Sequence, residues 1–242
     1  MKIVVTVPTY NEIENIERLV TEILSQDERI EVVVADDNSP DGTWKAVAAM
    51  GESDPRVHLL HRTTDRGRGT AGRDAYVKAL DLGADLAFEM DADFSHHPRD
   101  LPAMITALAD HDVVLGSRQV PGGKDVGRTA TRRLLTILSN LFARVVLGLP
   151  VGDCNSGYRG FRRETLELID VRHAFSPGPA IVHELLFKAS QKDARITEIP
   201  IEFVDRELGT STLSFKTLVR SYVTVFRLRW MGITGKLFEK QA

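Results

Sequence analysis

The chain has 242 residues, of which 43% are hydrophobic and 27% are charged, a composition typical of a globular protein with one large core. Its formal net charge of -3 at pH 7 argues against a protein that binds nucleic acid by bulk electrostatics. The first apolar run breaks at Pro8, too early for a signal peptide, and no stretch reaches the roughly 18 apolar residues that a membrane-spanning helix needs.

Short β-branched runs alternate with helical patterns through the first half of the chain. Strands are predicted at residues 3–7, 31–35, 57–61, 85–90 and 112–116, and helices at residues 13–24, 41–50, 70–82 and 99–109. This alternation predicts an α/β fold with a mostly parallel central sheet that is flanked by helices on both faces.

The pattern changes after residue 116. We predict a long helix at residues 129–147, a glycine-rich stretch at 152–160, a helix at 181–190, a strand at 195–203 and an amphipathic tail at 215–242. We expect one domain over residues 1–242, with division of labour inside it. Residues 1–116 would bind a nucleotide, residues 117–214 would handle an acceptor, and amphipathic helices would end the chain.

Two carboxylates follow the apolar run at residues 86–90. Side chains alternate along a strand, so Asp91 and Asp93 are expected to project to the same side. Two like charges held this close are costly unless a cation lies between them. Mg²⁺ prefers one or two protein carboxylates together with substrate phosphates. Asp91 and Asp93 are therefore the predicted metal ligands, and Ser95 is expected to add a ligand or a water-mediated contact.

A second motif, Gly-x-Gly-x-x-Gly at residues 67–72, matches the pattern of a dinucleotide-binding fingerprint. Such a fingerprint follows the first strand of its βαβ unit, whereas this motif follows the third predicted strand. Arg66 and Arg68 also lie in the same turn. We favour a flexible, cationic loop near phosphates over a site for NAD.

Two segments combine local positive charge with an apolar helical stripe. Residues 118–133 hold five basic residues against one acid, and residues 212–242 hold six against one. The stripes consist of Leu134, Leu135, Ile137, Leu138, Leu141, Phe142, Val145 and Val146, and of Phe215, Leu218, Val219, Tyr222, Val225, Phe226 and Trp230. An apolar stripe is usually core, but stripes with basic flanks are also typical of helices that lie on a membrane surface. Membrane contact is favoured more for the second segment, where Trp230 lies between two arginines.

Six motifs, taken in order, point to a family. They are Pro-Thr-Tyr-Asn-Glu at residues 8–12, Asp-Asp-Asn-Ser-Pro-Asp-Gly-Thr at 36–43, Met-Asp-Ala-Asp-Phe-Ser-His-His-Pro at 90–98, Gly-Ser-Arg at 116–118, Asp-Cys-Asn-Ser-Gly-Tyr-Arg at 153–159 and Phe-Val-Asp-Arg at 203–206. Together they resemble the motifs of polyprenyl-phosphate (dolichyl-phosphate) mannose synthases, a branch of the family 2 glycosyltransferases with a GT-A fold. The similarity runs from about residue 3 to residue 214.

The resemblance implies a nucleotide site and a metal site. The positions that hold the guanosine in similar enzymes are occupied here by Pro8, Tyr10, Glu12, Ala35 and Asp37. The Asp-Ala-Asp motif of Asp91, Ala92 and Asp93 resembles the one that holds Mg²⁺ or Mn²⁺ on the diphosphate of a nucleotide sugar.

The resemblance also implies phosphate-binding arginines. Arg118 and Arg132 resemble arginines that grip phosphates near the acceptor, and Arg206 resembles one that closes over the donor. The chain departs from the family twice. Thr212 replaces a lysine that contacts phosphate, and residues 177–184 keep only the last acid of Tyr-x-Phe-Gln-x-Glu, which bears on sugar or acceptor preference.

The implied activity is inverting transfer of mannose from GDP-mannose to a polyprenyl (dolichyl) phosphate. The alternative is the same lipid acceptor with a different donor, such as UDP-glucose. The implied location is cytoplasmic, at the cytoplasmic face of a membrane, with peripheral attachment to the membrane surface or with a separate membrane subunit. The single cysteine, Cys154, fits such a reducing compartment.

Overall fold

The computed structural model describes residues 1–205 and 215–239. The strands in that part of the chain are β1 (Ile3–Thr9), β2 (Ile30–Asp36), β3 (Val57–His61), β4 (Leu86–Glu89), β5 (Val113–Ser117), β6 (Lys124–Val126), β7 (Arg159–Arg162), β8 (Ile196–Pro200) and β9 (Glu202–Val204). The α-helices there are α1 (Ile16–Leu24), α2 (Thr43–Ser53), α3 (Arg68–Asp81), α4 (Leu101–Ala107), α5 (Ala130–Leu147), α6 (Arg163–Leu168), α7 (Ile181–Ser190) and α8 (Phe215–Ile233).

Seven strands form one sheet in the order β3-β2-β1-β4-β7-β5-β8. Neighbouring strands are parallel except for β7, which runs antiparallel between β4 and β5. Strands β6 and β9 pair in parallel as a separate small sheet, with Asp125 opposite Phe203. The predicted α/β fold with a mostly parallel central sheet is confirmed.

The β-branched runs of β1 and β2 follow from burial on both faces of the sheet. Val4 and Val33 belong to the core on one face, and Val5 and Val34 belong to the core on the other. A strand that is covered on both sides needs apolar side chains at consecutive positions. This is why continuous apolar runs, rather than alternating ones, marked these strands in the sequence.

Several strand boundaries differ from the sequence-based expectation. Strand β4 ends at Glu89, so alternation along a strand does not set the directions of Asp91 and Asp93. The predicted strand at residues 195–203 is divided between β8 and β9, which lie in different sheets. Strand β7 overlaps the glycine-rich stretch at Arg159 and Gly160, and a Cβ at Gly160 would come within 2.3 Å of the Phe88 ring.

Helices α5 and α8 pack against each other. The Phe142 ring lies 4.9 Å from the Tyr222 ring and 5.3 Å from the Phe226 ring, both in edge-to-face geometry. Helix α5 buries only a narrow face, which includes Asn140 and Ala143. No helix within residues 1–205 and 215–239 is long and apolar enough to cross a membrane.

The outer sides of these two helices are apolar and exposed. The exposed apolar side chains of α5 are Leu134, Leu135, Ile137, Leu138, Leu141 and Val145, at 48–70%. Those of α8 are Val219, Tyr222, Val223, Phe226, Trp230 and Ile233. We call these two sets the apolar face. Of the predicted stripes, Val225 is buried, and the side chains of Phe215 and Leu218 lie outside the described part.

Candidate active site

The loops after β1 and β2 are tied together at the carboxyl edge of the sheet. The Asp41 carboxylate accepts hydrogen bonds from the Ile13 amide at 3.1 Å and from the Thr43 hydroxyl at 2.6 Å. The Asn11 amide donates to the Ser39 hydroxyl at 3.0 Å. The two loops were predicted to bind a nucleotide, and these bonds hold them side by side. They lie at the edge of the sheet where open α/β folds bind ligands.

The adjacent acids Asp36 and Asp37 have different roles. Asp36 is fully buried and accepts hydrogen bonds from the Ser39 amide at 2.8 Å and from its hydroxyl at 2.6 Å, which shapes the turn after β2. The Asp37 carboxylate binds the Arg62 guanidinium and accepts the Gly67 amide at 2.7 Å. Asp37 therefore joins the loop after β2 to the glycine-rich loop.

The residues predicted to hold the guanosine come to one edge. Pro8 and Ala35 lie opposite each other at the ends of β1 and β2. Ala35 is fully buried, so its backbone is the part that can meet a ligand. Tyr10 is 47% exposed, and Glu12 follows it in the same loop. The Asp37 amide, which donates to the carbonyl before Tyr10 at 3.2 Å, completes the set.

The Asp-Ala-Asp motif lies in a tight loop directly after β4. Phe94 has a φ of +59°, a left-handed conformation that is rare for a bulky side chain and that turns the backbone after Asp93. The Ser95 amide then donates to the Asp93 carboxylate at 3.1 Å. Ala92 and Ser95 are buried, whereas the Asp91 side chain is 38% exposed. The loop's own backbone, rather than a strand, therefore carries the two carboxylates.

Three neighbours lie close to Asp91. Arg68 Nη2 is 3.4 Å from its Oδ1, and a Cβ at Gly157 would be 3.3 Å from its Oδ2. The Asp91 amide donates to His96 Nδ1 at 3.2 Å. Burial lowers the pKa of His96 even though the Asp91 carboxylate acts to raise it, so His96 is neutral near pH 7.

Asp91 and Asp93 fit a divalent cation that takes its remaining ligands from a substrate. Both offer carboxylate oxygens, which Mg²⁺ and Mn²⁺ prefer. Among residues 1–205 and 215–239, no three His, Cys, Asp or Glu side chains are grouped so that they could hold a metal ion. Two carboxylates leave coordination positions that the phosphate oxygens of a substrate would fill.

Arg118, the first of the predicted phosphate-binding arginines, follows β5 and is held by Asp153. Its Nε and Nη2 donate to the Asp153 carboxylate at 2.7 and 2.9 Å, and its backbone amide donates at 3.1 Å. Burial acts to raise the pKa of Asp153, but hydrogen bonds from Arg118 and Asn140 hold this pKa below its ordinary value. The Arg118 guanidinium also lies 4.6 Å from the centre of the Phe203 ring.

Arg132, the second predicted arginine, lies in the first turn of α5 and is more than half exposed. Its Nη1 donates to the Asp205 carboxylate at 2.8 Å. The structure therefore places Arg132 at the rim of the site, whereas Arg118 is buried in it. The predicted donor-closing Arg206 and the family departure at Thr212 lie outside the described residues.

Arg128 was not predicted as a site residue, although it lies with Arg118 on the Phe203 ring. Its guanidinium is 5.7 Å from the ring centre and donates to the Asp125 carboxylate at 3.2 Å. The excess of basic residues at 118–133 was a signal for Arg128, but net charge does not distinguish one arginine from another. Asp153 and Phe203 were missed as well, because their roles depend on contacts between distant segments.

Glu184 holds in place the loop that leads into residues 177–184, the stretch that departs from the family pattern. Its fully buried carboxylate accepts the Phe175 and Ser176 amides at 3.1 and 2.7 Å and pairs with Lys188 Nζ at 2.8 Å. This loop lies against the start of α3, where a Cβ at Gly69 would come within 2.4 Å of the Ser176 carbonyl oxygen. The second glycine of the Gly-x-Gly motif therefore permits close packing of backbone on backbone.

Comparisons with known proteins agree with this architecture. Residues 4–169 match the family model described as Glycosyl transferase family 2. The chain is 38% identical over 241 residues to the undecaprenyl-phosphate mannosyltransferase of Micrococcus luteus, with 98% of this chain and 99% of the relative covered. It is 36% identical over 235 residues to the polyprenol monophosphomannose synthase of Mycolicibacterium smegmatis, with 96% of this chain and 88% of the relative covered.

Two solved structures share the fold. Glucosyl-3-phosphoglycerate synthase from Mycobacterium tuberculosis, in complex with Mn²⁺, UDP and glucosyl-3-phosphoglycerate, gives a TM-score of 0.66 at 20% identity over 98% of this chain and 80% of that one. A mannosyltransferase from Pyrobaculum calidifontis, in complex with GDP-Man and Mn²⁺, gives a TM-score of 0.60 at 21% identity, with 98% of this chain and 69% of that one covered. These similarities show the GT-A fold. Because the family model also covers more than half of its length, the chain belongs to glycosyl transferase family 2.

Proposed function

We propose that this chain transfers mannose from GDP-mannose to a polyprenyl phosphate, with inversion at the anomeric carbon. The observation that carries the proposal is near full-length similarity to relatives named for mannosyl transfer to polyprenyl phosphates. The geometry supports it as well. His96, beside Asp91, lies 5.6 Å from the Phe203 ring, and Arg118 lies over the same ring. The loop proposed to bind the metal and the arginine proposed to bind phosphate therefore lie around one aromatic side chain.

The guanosine of the donor is assigned to the loops after β1 and β2. Tyr10 offers a half-exposed ring, Glu12 follows it in the same loop, and the backbone of Asp37 lies beside that loop through its bond to Thr9. Pro8 and the buried Ala35 would shape the floor through their backbone. The bonds between the two loops fix these groups before the donor binds, which reduces the entropy that binding must offset.

Asp91 and Asp93 would hold Mg²⁺ or Mn²⁺, with Ser95 as a further direct or water-mediated contact. When bound, such a cation neutralises charge that develops on the leaving diphosphate. The turn at Phe94 holds the loop that carries both carboxylates. Mn²⁺ is named with both similar structures, which favours Mn²⁺ as the first ion to test.

The arginines would bind and orient the phosphate of the acceptor. A lipid phosphate is already anionic at neutral pH, so its oxygen attacks the anomeric carbon without a general base. Arg118 is oriented by Asp153 before any ligand binds, and Arg132 lies at the rim. Arg206 is assigned to closure over the donor. Direct displacement at the anomeric carbon then gives inversion.

The apolar tail of the acceptor is assigned to the apolar face of α5 and α8. A contiguous set of exposed apolar side chains on a protein surface marks a contact with a partner or a membrane. We infer peripheral attachment at the cytoplasmic face of a membrane, by the chain alone or with a separate membrane subunit. Residues 1–116 would then serve the nucleotide sugar, residues 117–214 the acceptor, and residues 215–242 the membrane surface.

Transfer into lipid tests the proposal. Purified protein is incubated with labelled GDP-mannose, dolichyl phosphate in detergent and MnCl₂, and label is counted in the organic phase. A parallel reaction contains labelled UDP-glucose. We expect label from GDP-mannose alone, and its loss with EDTA. Transfer from UDP-glucose but not from GDP-mannose would establish the alternative donor, and transfer from neither would contradict the proposal.

A further inference from the structure

Arg68 lies between two carboxylates at the start of α3. Its Nη2 donates to Glu89 Oε1 at 2.7 Å and lies 3.4 Å from Asp91 Oδ1. Glu89 is buried at the end of β4, and Asp91 is the partly exposed residue assigned to the metal. Arg68 therefore bridges a buried acid and a metal ligand.

The position of Arg68 is set by its surroundings. The preceding residue, Gly67, donates its amide to Asp37 at 2.7 Å, which anchors the start of the helix. A Cβ at Gly72 would lie 3.1 Å from Arg68 Nη1 and 3.0 Å from Glu89 Oε2, so the glycine admits both charged groups. The guanidinium is therefore held in a site shaped to receive it.

Neutralising Glu89 does not by itself account for this geometry. A guanidinium that served one carboxylate would use two amines in a bidentate pair. Here Nη2 is shared between Glu89 and Asp91, while Nη1 is buried with no hydrogen-bond partner within the described residues. An unpaired buried donor is costly. This orientation of the Arg68 guanidinium leaves Nη1 unpaired but allows Nη2 to contact Asp91.

The charges around this contact bear on metal binding. Glu89, Asp91 and Asp93 place three acids within five residues, and the Arg68 guanidinium contacts the first two. A divalent ion that approaches Asp91 meets both repulsion from the guanidinium and competition for the same carboxylate. A diphosphate at this site would supply negative charge and further oxygen ligands for the ion.

We propose that Arg68 is a positioning residue that occupies Asp91 until the donor arrives. Divalent metal then binds weakly to the free protein and more tightly together with a nucleoside diphosphate, and by linkage the metal promotes nucleotide binding to the same extent. Arg68 keeps its bond to Glu89 throughout, so it stays within reach of the diphosphate. The inference rests on the metal site of the proposed function.

Mn²⁺ binding to nucleotide-free protein tests this directly, with the free ion measured by electron paramagnetic resonance at constant pH. Arg68→Met removes the charge but keeps much of the side-chain length, and should tighten Mn²⁺ binding about tenfold. Glu89→Gln leaves the guanidinium to Asp91 alone and should weaken binding about tenfold. Arg68→Lys keeps the charge and should remain near the wild type.

Arg66→Met is the matched control, because Arg66 lies in the same loop but bonds to the Asp37 carbonyl oxygen at 3.3 Å. It should change Mn²⁺ affinity less than about twofold. A purely structural role for Arg68 would weaken binding in Arg68→Met and Glu89→Gln alike and would overturn the proposal. An equal gain in Arg66→Met would also overturn it. If Arg68→Met does not fold, Arg68→Gln, which also removes the charge, takes its place with the same expected gain in Mn²⁺ affinity.

GDP provides a second readout. We compare the Mn²⁺ dissociation constant without GDP with that in the presence of GDP. The ratio of the two should be about fivefold smaller in Arg68→Met than in the wild type, because the Arg68 guanidinium that GDP displaces from Asp91 is already absent. An unchanged ratio would contradict the proposal. These assays contain neither mannose nor a lipid acceptor, so their outcome can be separated from success or failure of mannose transfer.

Discussion

Arg118 and Asp153, which are 35 residues apart, form a buried ion pair through two hydrogen bonds of 2.7 and 2.9 Å. Asn140 on α5 donates to the same carboxylate at 3.0 Å. Asp153 therefore fixes the guanidinium after β5 and ties it to the helix whose outer side belongs to the apolar face. The pair stabilises the fold and also supports a side chain assigned to phosphate.

Replacing Asp153 with asparagine should lower the free energy of unfolding by about 3 kcal/mol, because the Arg118 charge stays buried without its carboxylate. Urea unfolding at neutral pH measures the loss. Asp81→Asn is the matched control, since it breaks a half-exposed pair with Arg172 and should cost less than about 1 kcal/mol. Equal losses would show that the buried pair is worth no more than a surface pair.

The same pair predicts a pH dependence. The folded-state pKa of Asp153 is lowered, so its stabilisation is present above the unfolded-state pKa near 4 and is lost as the pH falls through the folded value. The difference in unfolding free energy between wild type and Asp153→Asn should therefore shrink in acid. If the difference in unfolding free energy between the two proteins stayed constant below about pH 4, a group other than Asp153 would be responsible for the pH dependence.

His183 on α7 predicts a second pH effect. Its Nε2 lies 3.0 Å from Asn155 Oδ1, and its Nδ1 is buried without a hydrogen-bond partner within the part of the chain described. Burial, with a smaller effect from Arg159, lowers its pKa to about 4. The unfolded chain binds this proton at about pH 6.5, so acid favours unfolding. The stability that depends on neutral His183 is complete above about pH 6.5 and falls as the pH approaches 4.

The His183→Gln variant should have a flatter dependence of unfolding free energy on pH between about pH 5 and 7. In the wild type this linkage is worth up to about 3 kcal/mol. Urea unfolding at a series of pH values measures both slopes. The same slope in both proteins would show that His183 is not the titrating group.

Gly157 faces the metal loop, and its substitution tests that contact. A methyl group there would lie 3.3 Å from Asp91 Oδ2, so Gly157→Ala should weaken Mn²⁺ binding and transfer by about tenfold or more. Gly152→Ala adds the same group at a similar distance, 3.3 Å, from the Gln119 side chain, and serves as the control. Both should lose about 1 kcal/mol of stability. If Gly157→Ala and Gly152→Ala changed Mn²⁺ affinity equally, Gly157 would not be in contact with the metal site.

The apolar face predicts binding to membranes. Leu138→Glu and Val145→Glu, at positions 51% and 70% exposed, should reduce co-sedimentation with phosphatidylcholine and phosphatidylglycerol vesicles while changing stability by less than about 0.5 kcal/mol. Leu168→Glu, at a 53% exposed position on α6, is the control. Transfer to a long acceptor in vesicles should fall more than transfer to a short soluble one. Equal sedimentation of all three variants would exclude this face as the membrane contact.

The sequence predicted what local patterns encode. Continuous β-branched runs identified β1 and β2, because both faces of these strands are buried. The Asp-X-Asp spacing singled out Asp91 and Asp93 as metal ligands, which stays a prediction, and the expected strand geometry was wrong because β4 ends at Glu89. The order of the motifs identified the family.

The remaining features depend on tertiary contacts that no local pattern carries. Strands β6 and β9 have three residues each and exist through their pairing with each other. Strand β7 begins at the end of the glycine-rich stretch, where the absence of a side chain at Gly160 leaves room for the Phe88 ring. The support of Arg118 by Asp153 and the bridge from Arg68 to Asp91 join distant segments. The charge count at residues 118–133 included Arg118, and the Gly-x-Gly motif drew attention to Arg68, but neither pattern assigned their partners.

Transfer by wild type and Asp91→Asn tests the metal-assisted mechanism most directly. Both proteins receive labelled GDP-mannose, dolichyl phosphate and saturating Mn²⁺, and label in the organic phase is followed with time. We predict transfer by the wild type and at least about a hundredfold slower transfer by Asp91→Asn, with unfolding free energies that agree within about 1 kcal/mol. Wild-type turnover by Asp91→Asn, or no transfer by either protein, would contradict it.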